Sequence, residues 1–120
     1  MGYYSGALSI EAYTTGVGPV HSLSAATATT ATAAVLDAAT IRQNAVLVVT
    51  SGAGVSAGDC SLQASLDGVN FFTVGSPLAV SAANTTYSQT STSAFGRFFR
   101  AVVSTNITGG HVDAWVGASG

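Results

Sequence analysis

Residues 59–68 read Asp-Cys-Ser-Leu-Gln-Ala-Ser-Leu-Asp-Gly. Cys60, Leu62, Ala64 and Leu66 fall at every second position, and the stretch closes on the turn pair Asp67-Gly68. Side chains alternate sides along a strand, so this pattern buries one face and wets the other. A helix would instead need its buried face to recur every three to four residues. The same alternation returns along the chain and predicts strands at Ala7–Thr14, Val20–Ala25, Ala33–Asp37, Ala45–Ser51, Asp59–Leu66, Asn70–Val74, Thr85–Thr90, Phe98–Ser104 and His111–Ala118. Turn formers separate many of them: Gly16-Val-Gly-Pro19, Gly52-Ala-Gly54, Gly75-Ser-Pro77, Asn84 and Gly109-Gly110.

Helix signals are weak: lysine is absent and glutamate appears once. The alanine-rich window Ala31–Ala39 sits beside threonine runs and keeps no 3.6-residue period, so it reads as extended chain. Residues 24–34, an alternating Ala/Thr stretch, suit an edge strand or an arm laid on a neighbour. Such a segment has little apolar area to offset its ordering entropy, so once ordered it should be docked on something. The 120 residues make one domain with enough length for a real core. The expected fold is all-β: a single antiparallel β-sandwich, jelly-roll-like, over residues 19–120, with residues 1–18 as an N-terminal strand or attachment arm.

Two segments echo each other. Val48–Ser65 and Val102–Ser119 both run from Val-Val through a Ser/Thr/Gly turn into an alternating strand ending Ala-Ser. This predicts one hairpin design used twice, as equivalent parts of a sandwich.

Charge narrows the function. Charged residues make up 7% of the chain, against about 25% in an average soluble domain. The cations are Arg42, Arg97 and Arg100, and the net charge is −2. That balance excludes neither solubility nor assembly, but it argues against nucleic-acid binding and against a polybasic membrane contact. The N-terminus lacks a basic region followed by an apolar run, so export through a signal peptide is not expected. A surface so poor in charge fits either a hydroxyl-coated secreted domain or an obligate assembly whose contacts exclude charge; the second reading is favoured.

No residues suggest chemistry. Cys60 is the lone cysteine and reads as a small buried hydrophobe. His21 and His111 are the two histidines, and no Gly-x-Ser-x-Gly elbow accompanies them. Asp59-Cys60 and His111-Val-Asp113 are too sparse for a metal site, and Gly52–Gly58 lacks the lysine of a phosphate loop. No catalytic residue, cofactor or metal is expected.

Asp67-Gly68 reads first as a structural corner. Of the adjacent Phe71 and Phe72, one should face inward and the other should be exposed. Arg97 and Arg100 are expected to pair with Asp67, Asp59 or Asp113, or to stack on aromatics. Tyr3, Tyr4 and Tyr13 are either assembly anchors or closures of the sandwich's own base. Together with Phe71 and Phe95 they form the set of candidate assembly contacts.

Ser65-Leu-Asp-Gly-Val-Asn-Phe-Phe72, with Gly96-Arg-Phe-Phe-Arg-Ala101 about 25 residues on, resembles the Ser-x-Asp-Gly-x-x-Trp/Phe … Ala-Arg-Tyr-x-Arg pattern of discoidin-type β-sandwich domains. In length, and in its ending Thr108-Gly-Gly-His-Val-Asp-Ala-Trp-Val116, the chain is similar to small structural proteins of tailed bacteriophages, including the decoration (cement) proteins of capsids. The resemblance covers residues 45–118. The chain lacks the paired terminal cysteines of discoidin domains and is shorter, so no ligand-binding spike is carried over. The phage resemblance implies a non-enzymatic virion protein on the outer capsid surface, made in the host cytoplasm. Its implied partners are the major capsid protein and itself, as a homotrimer, with residues 1–18 and the Ala/Thr stretch as candidate attachment arms. The alternatives are a carbohydrate-binding, discoidin-like module using Phe71, Phe72 or Phe95 on a surface glycan, and a tail subunit.

Overall fold

The computed structural model describes residues 13–120, with the backbone alone for Tyr13–Thr15. It consists of β1 (Tyr13–Thr15), β2 (Val20–Ala26), β3 (Val35–Arg42), β4 (Asn44–Ser51), β5 (Ala57–Ser65), β6 (Phe71–Ala79), β7 (Thr86–Ser91), β8 (Gly96–Thr108) and β9 (Val112–Ser119), with no helix among the described residues. Each strand expected from alternation overlaps one of these. The first of them, Ala7–Thr14, meets β1 at Tyr13 and Thr14, and its earlier residues lie outside the described part.

Two sheets face each other. One has the order β2-β9-β4-β7, the other β3-β8-β5-β6 with β1 added beside β3 in parallel. All other pairs are antiparallel. This interleaved order is that of a jelly roll. Residues 13–18 of the expected arm belong to the sandwich: they form β1 and the turn into β2.

The sequence echo has a structural counterpart, though not the expected one. Residues 48–65 and 102–119 are not hairpins. Each leaves one sheet, turns a corner and enters the other, as β4 to β5 and as β8 to β9. The two arches pair with each other. Val49 lies opposite Ala114 in one sheet, and the residues 54 further along and back, Val103 and Cys60, lie opposite each other in the second. The same shift carries Leu47↔Val116 into Ala101↔Leu62, and Ala45↔Ala118 into Phe99↔Ala64. It also relates Val20↔Val116 to Val74↔Leu62 at the flanks. The fold is therefore a pseudo-twofold pair of four-strand halves, β2–β5 and β6–β9. Every antiparallel pair joins one half to the other.

The arches meet at their corners. The Gly52 N–H donates to the His111 carbonyl (2.9 Å), and Gly54 and Gly109 lie backbone against backbone, both at positive φ. A Cβ on Gly109 would collide with the Gly54 carbonyl oxygen. Glycine is needed there for space and for conformation at once.

Between the sheets, Leu47, Val49, Leu62, Phe99, Val112 and Val116 are fully buried, with Ala38, Cys60, Ala64, Ala101 and Ala114 among them. β4 alternates strictly, Ala45, Leu47 and Val49 pointing in. Small residues opposite large ones let the two layers interdigitate. Residues 27–34 are irregular chain crossing from β2 to β3, and Ala31, Ala33 and Ala34 pack on this same core. The Ala/Thr stretch is thus docked on its own molecule. Its docking is polar as well as apolar: Thr29 N–H donates to Asn106 Oδ1 (2.9 Å) and Ile107 N–H to the Thr27 carbonyl (2.8 Å).

Buried Ser22 fastens three segments. Its hydroxyl donates to the Ala34 carbonyl and accepts from the Ala101 N–H, both at 2.8 Å, which ties β2 to the crossover and to β8 in the opposite sheet. Ser22→Ala leaves a buried donor and acceptor without partners, a cost of about 1–3 kcal/mol for each group left wholly unsatisfied. Urea unfolding should show this as a lower midpoint with an unchanged slope. Gly109→Ala should be worse than its single methyl suggests, destabilising by more than about 1 kcal/mol in the same assay, because strain and collision add.

Candidate interaction surface at one end of the sandwich

Gln43 alone separates β3 from β4, so the end of one strand and the start of the other share an end of the molecule. Register places the ends of β5, β7 and β9 and the starts of β2, β6 and β8 there too. The connections at this end are 16–19, Gln43, 66–70 and 92–95. All the exposed large hydrophobics among the described residues lie on or beside them: Val17, Ile41, Leu66, Val69, Phe72 and Phe95. The opposite end, formed by residues 27–34, 52–56, 80–85 and 109–111, exposes none; its Val55 and Val80 are buried. Scattered apolar residues need no explanation, but their gathering at one end makes that end the candidate contact surface.

Each local structure holds an apolar side chain outward. In the 66–70 turn, Ser65 Oγ accepts from the N–H groups of Asp67 (3.2 Å) and Gly68 (2.9 Å) and donates to Asp67 Oδ1 (2.9 Å). Asp67 Oδ1 in turn accepts from the N–H groups of Val69 (2.9 Å) and Asn70 (2.8 Å), and Oδ2 accepts from Asn70 Nδ2 (2.7 Å). The turn closes on its own polar groups, and Leu66 and Val69 project, Val69 being 79% exposed. These bonds, first those from the Asn70 and Val69 N–H groups, hold the Asp67 carboxyl far below the usual carboxylate range. Asp67-Gly68 is the structural corner that the sequence suggests.

Phe95 is displayed by strain. Its φ is 48°, a left-handed conformation that costs a bulky residue about 1–2 kcal/mol. Its neighbours are fixed. Ala94 is buried and donates its N–H to the Gln43 carbonyl (2.8 Å), and Gly96 is pressed against Ala64, where a Cβ would come within 2.8 Å of the alanine methyl. Phe95 between them is 53% exposed.

The arginines nearby all bond within the molecule. Arg97 grips Asp37 through Nε (2.8 Å) and Nη2 (3.0 Å), and Asp37 also accepts from the Ala39 N–H (2.9 Å). Burial pushes the Asp37 carboxyl up, but the Arg97 and Ala39 hydrogen bonds and the Arg97 charge outweigh it, and its pKa is lowered. Arg42 Nε donates to the Ala38 carbonyl (3.1 Å). Arg100 donates to Gln63 Oε1 (2.9 Å) and lies 3.8 Å over the Phe71 ring, while Arg97 lies 4.9 Å over Phe98.

The expected sites sort as follows. The stacking of Arg100 and Arg97 on phenylalanines is present. Their expected pairing with Asp67, Asp59 or Asp113 is not: Asp37 takes Arg97, Asp59 accepts from Thr105 (3.0 Å), and Asp113 holds His21 Nε2 (3.0 Å) and the Ala25 N–H (3.1 Å). Phe71 is half-buried under Arg100, and Phe72 is the exposed one of the pair. Neither is buried, because β6 is an edge strand. Phe95 sits on the apolar end. Tyr13 opens β1 opposite Val35, its side chain outside the described part, and Tyr3 and Tyr4 lie outside the described residues. Sequence reading missed Asp37 and the stack of His21 on Trp115, whose ring centres are 4.6 Å apart.

Among the described residues no three His, Cys, Asp or Glu side chains gather to hold a metal, and no helix is long and apolar enough to cross a membrane. Cys60 is fully buried, its thiol pushed up to about 11 by burial and then by the Asp59 charge. No family model, curated protein or solved structure matches the chain.

Asp67→Ala should loosen the 66–70 turn and lower the urea midpoint at pH 7. A carboxyl whose folded pKa is depressed stabilises above its unfolded value, about 3.9, and loses that contribution as pH falls through the folded value. The gap between wild type and Asp67→Ala should therefore narrow steadily below about pH 4.

Proposed function

We propose that this chain is a structural virion protein, a capsid decoration protein of a tailed bacteriophage, acting as a homotrimer that bridges capsomers of the major capsid protein. The observation that carries the reading is the one-ended display of Val17, Ile41, Leu66, Val69, Phe72 and Phe95, beside an Arg97–Asp37 pair that is closed within the molecule. An interface core takes apolar and aromatic side chains and excludes unpaired charge. A chain with 7% charged residues supports the same reading over its whole surface. The role is mechanical and needs no reaction: several weak contacts per trimer add up to firm attachment, because each one formed raises the effective concentration of the next.

One observation favours a second reading. Phe72 and Phe95 are exposed aromatics at the same end, as a glycan-binding module would need, whereas Phe71 is covered by Arg100.

Heads assembled without the protein, then mixed with it, test the proposal. Saturable binding and greater resistance of the heads to heat are expected, with Val69→Asp and Phe95→Asp weakening attachment at least tenfold while far-UV circular dichroism stays unchanged. A monomer by light scattering that ignores such heads but binds a glycan through Phe72 and Phe95 overturns it in favour of the second reading.

A further inference from the structure

An open groove of about 400 Å³ lies beside the apolar end, across β9, β4 and β7. Val17 and Pro19 form one wall, Val46 and Gly117 the floor, and Thr90 and Thr92 the opposite rim. No charged residue lines it. Gly117 keeps the floor low: a Cβ there would come within 3.3 Å of Val46 Cγ1. The groove thus calls for an uncharged, apolar occupant with some hydrogen-bonding capacity at its edge.

We infer that the groove is filled by the N-terminal segment, residues 1–12, of a second copy of this chain, an inference that rests on the self-assembling reading above. The segment has matching chemistry. Tyr4, Leu8 and Ile10 fall at even positions, so in extended chain they share one face, and the charged side chain Glu11 is on the other. Tyr4 brings a ring and a hydroxyl, a pairing suited to an apolar floor with a hydroxyl rim.

Where the chain enters the fold selects a second copy over the first. β1 runs parallel to β3, and Tyr13 lies opposite Val35, the first residue of β3, at the end remote from the groove. From there to the level of Arg42 is about 23 Å at the strand rise of ~3.3 Å per residue. The groove also lies on the outer surface of the other sheet, about 10 Å away through the core, with β2 to be passed on the way. Tyr4 stands nine residues before Tyr13 and reaches about 30 Å when fully extended. Reversing direction and rounding the sheet edge exhausts that length. A neighbour placed at the exit end can present its groove with no reversal. Such a contact joins unlike surfaces and closes into a ring when the rotation allows.

The test uses the full chain with p-benzoylphenylalanine in place of Tyr4, as an equal mixture of isotopically light and heavy protein, irradiated and mapped by mass spectrometry. Mixed-isotope cross-links from position 4 to residues 44–46, 90–92 or 117–119 are expected. Leu8→Asp with Ile10→Asp should reduce the mass in light scattering to that of a monomer. Cross-links to the same residues within single copies overturn the exchange between copies. An assembled protein whose cross-links fall elsewhere overturns the groove assignment but leaves self-assembly standing. A wild-type chain that is monomeric throughout overturns both.

Discussion

Pairing between the two halves of the chain is the constraint on which this sandwich depends. β4 lies against β9 and β5 against β8 over most of their lengths, and neither half contains an antiparallel pair of its own. The nested corners at Gly54 and Gly109 bring these central strands into register. Ser22 then fixes the separation of the sheets on one side, by holding β8 from β2. The core needs no large aromatic cluster. Among the described residues Phe99 is the one fully buried ring, and most remaining volume is filled by Leu, Val and Ala. Thin layers of this kind stay well packed only if register is kept, since a slip of one residue turns every inner side chain outward.

Polarity is divided between the ends. At the glycine-rich end, loops bond to each other through backbone groups. At the other end loops also bond to each other, as Ala94 does to Gln43, but the turn after β5 closes on its own Ser65, Asp67 and Asn70. Local closure frees the side chains between for outside contact. The strained φ of Phe95 fits the same division, since ordinary backbone there would not place the ring outward between two fixed neighbours. The cost of that conformation is small beside the area a phenylalanine can bury in a contact.

Much of the fold was legible in the chain because alternation is a local signal. Leu47 and Val49, or Cys60, Leu62 and Ala64, announce a strand and its inner face without any knowledge of the partner. Alternation does not say which sheet the next strand joins, so the corner at residues 52–56 read as a hairpin when it is an arch between sheets. The match of Asp37 to Arg97 spans 60 positions and exists only through the β3–β8 register. His21 and Trp115 meet in the same way, through β2 and β9. The Ala/Thr stretch has little apolar area of its own, yet it orders against the body of the sandwich. It does so because small methyl groups fit the narrow gap beside the core and its backbone finds partners at Asn106 and Ile107. The apolar end was only partly legible: Phe72 and Phe95 stood out, but Val17, Ile41, Leu66 and Val69 gain meaning from being gathered by topology.

Interleaving also sets an order of events during synthesis. β9 is made after the other strands of the sandwich, yet it lies inside its sheet, between β2 and β4. Until it leaves the ribosome, β2 has no partner and β4 has one open edge, whereas β3 and β5 can already pair with β8. That sheet therefore closes only once β9 is present, through contacts distant in sequence, which is slow and leaves the edges of β2 and β4 open to neighbouring chains. The hydroxyl side chains exposed along strands such as β7 give those edges a polar coat that protects the nascent chain as much as the finished one.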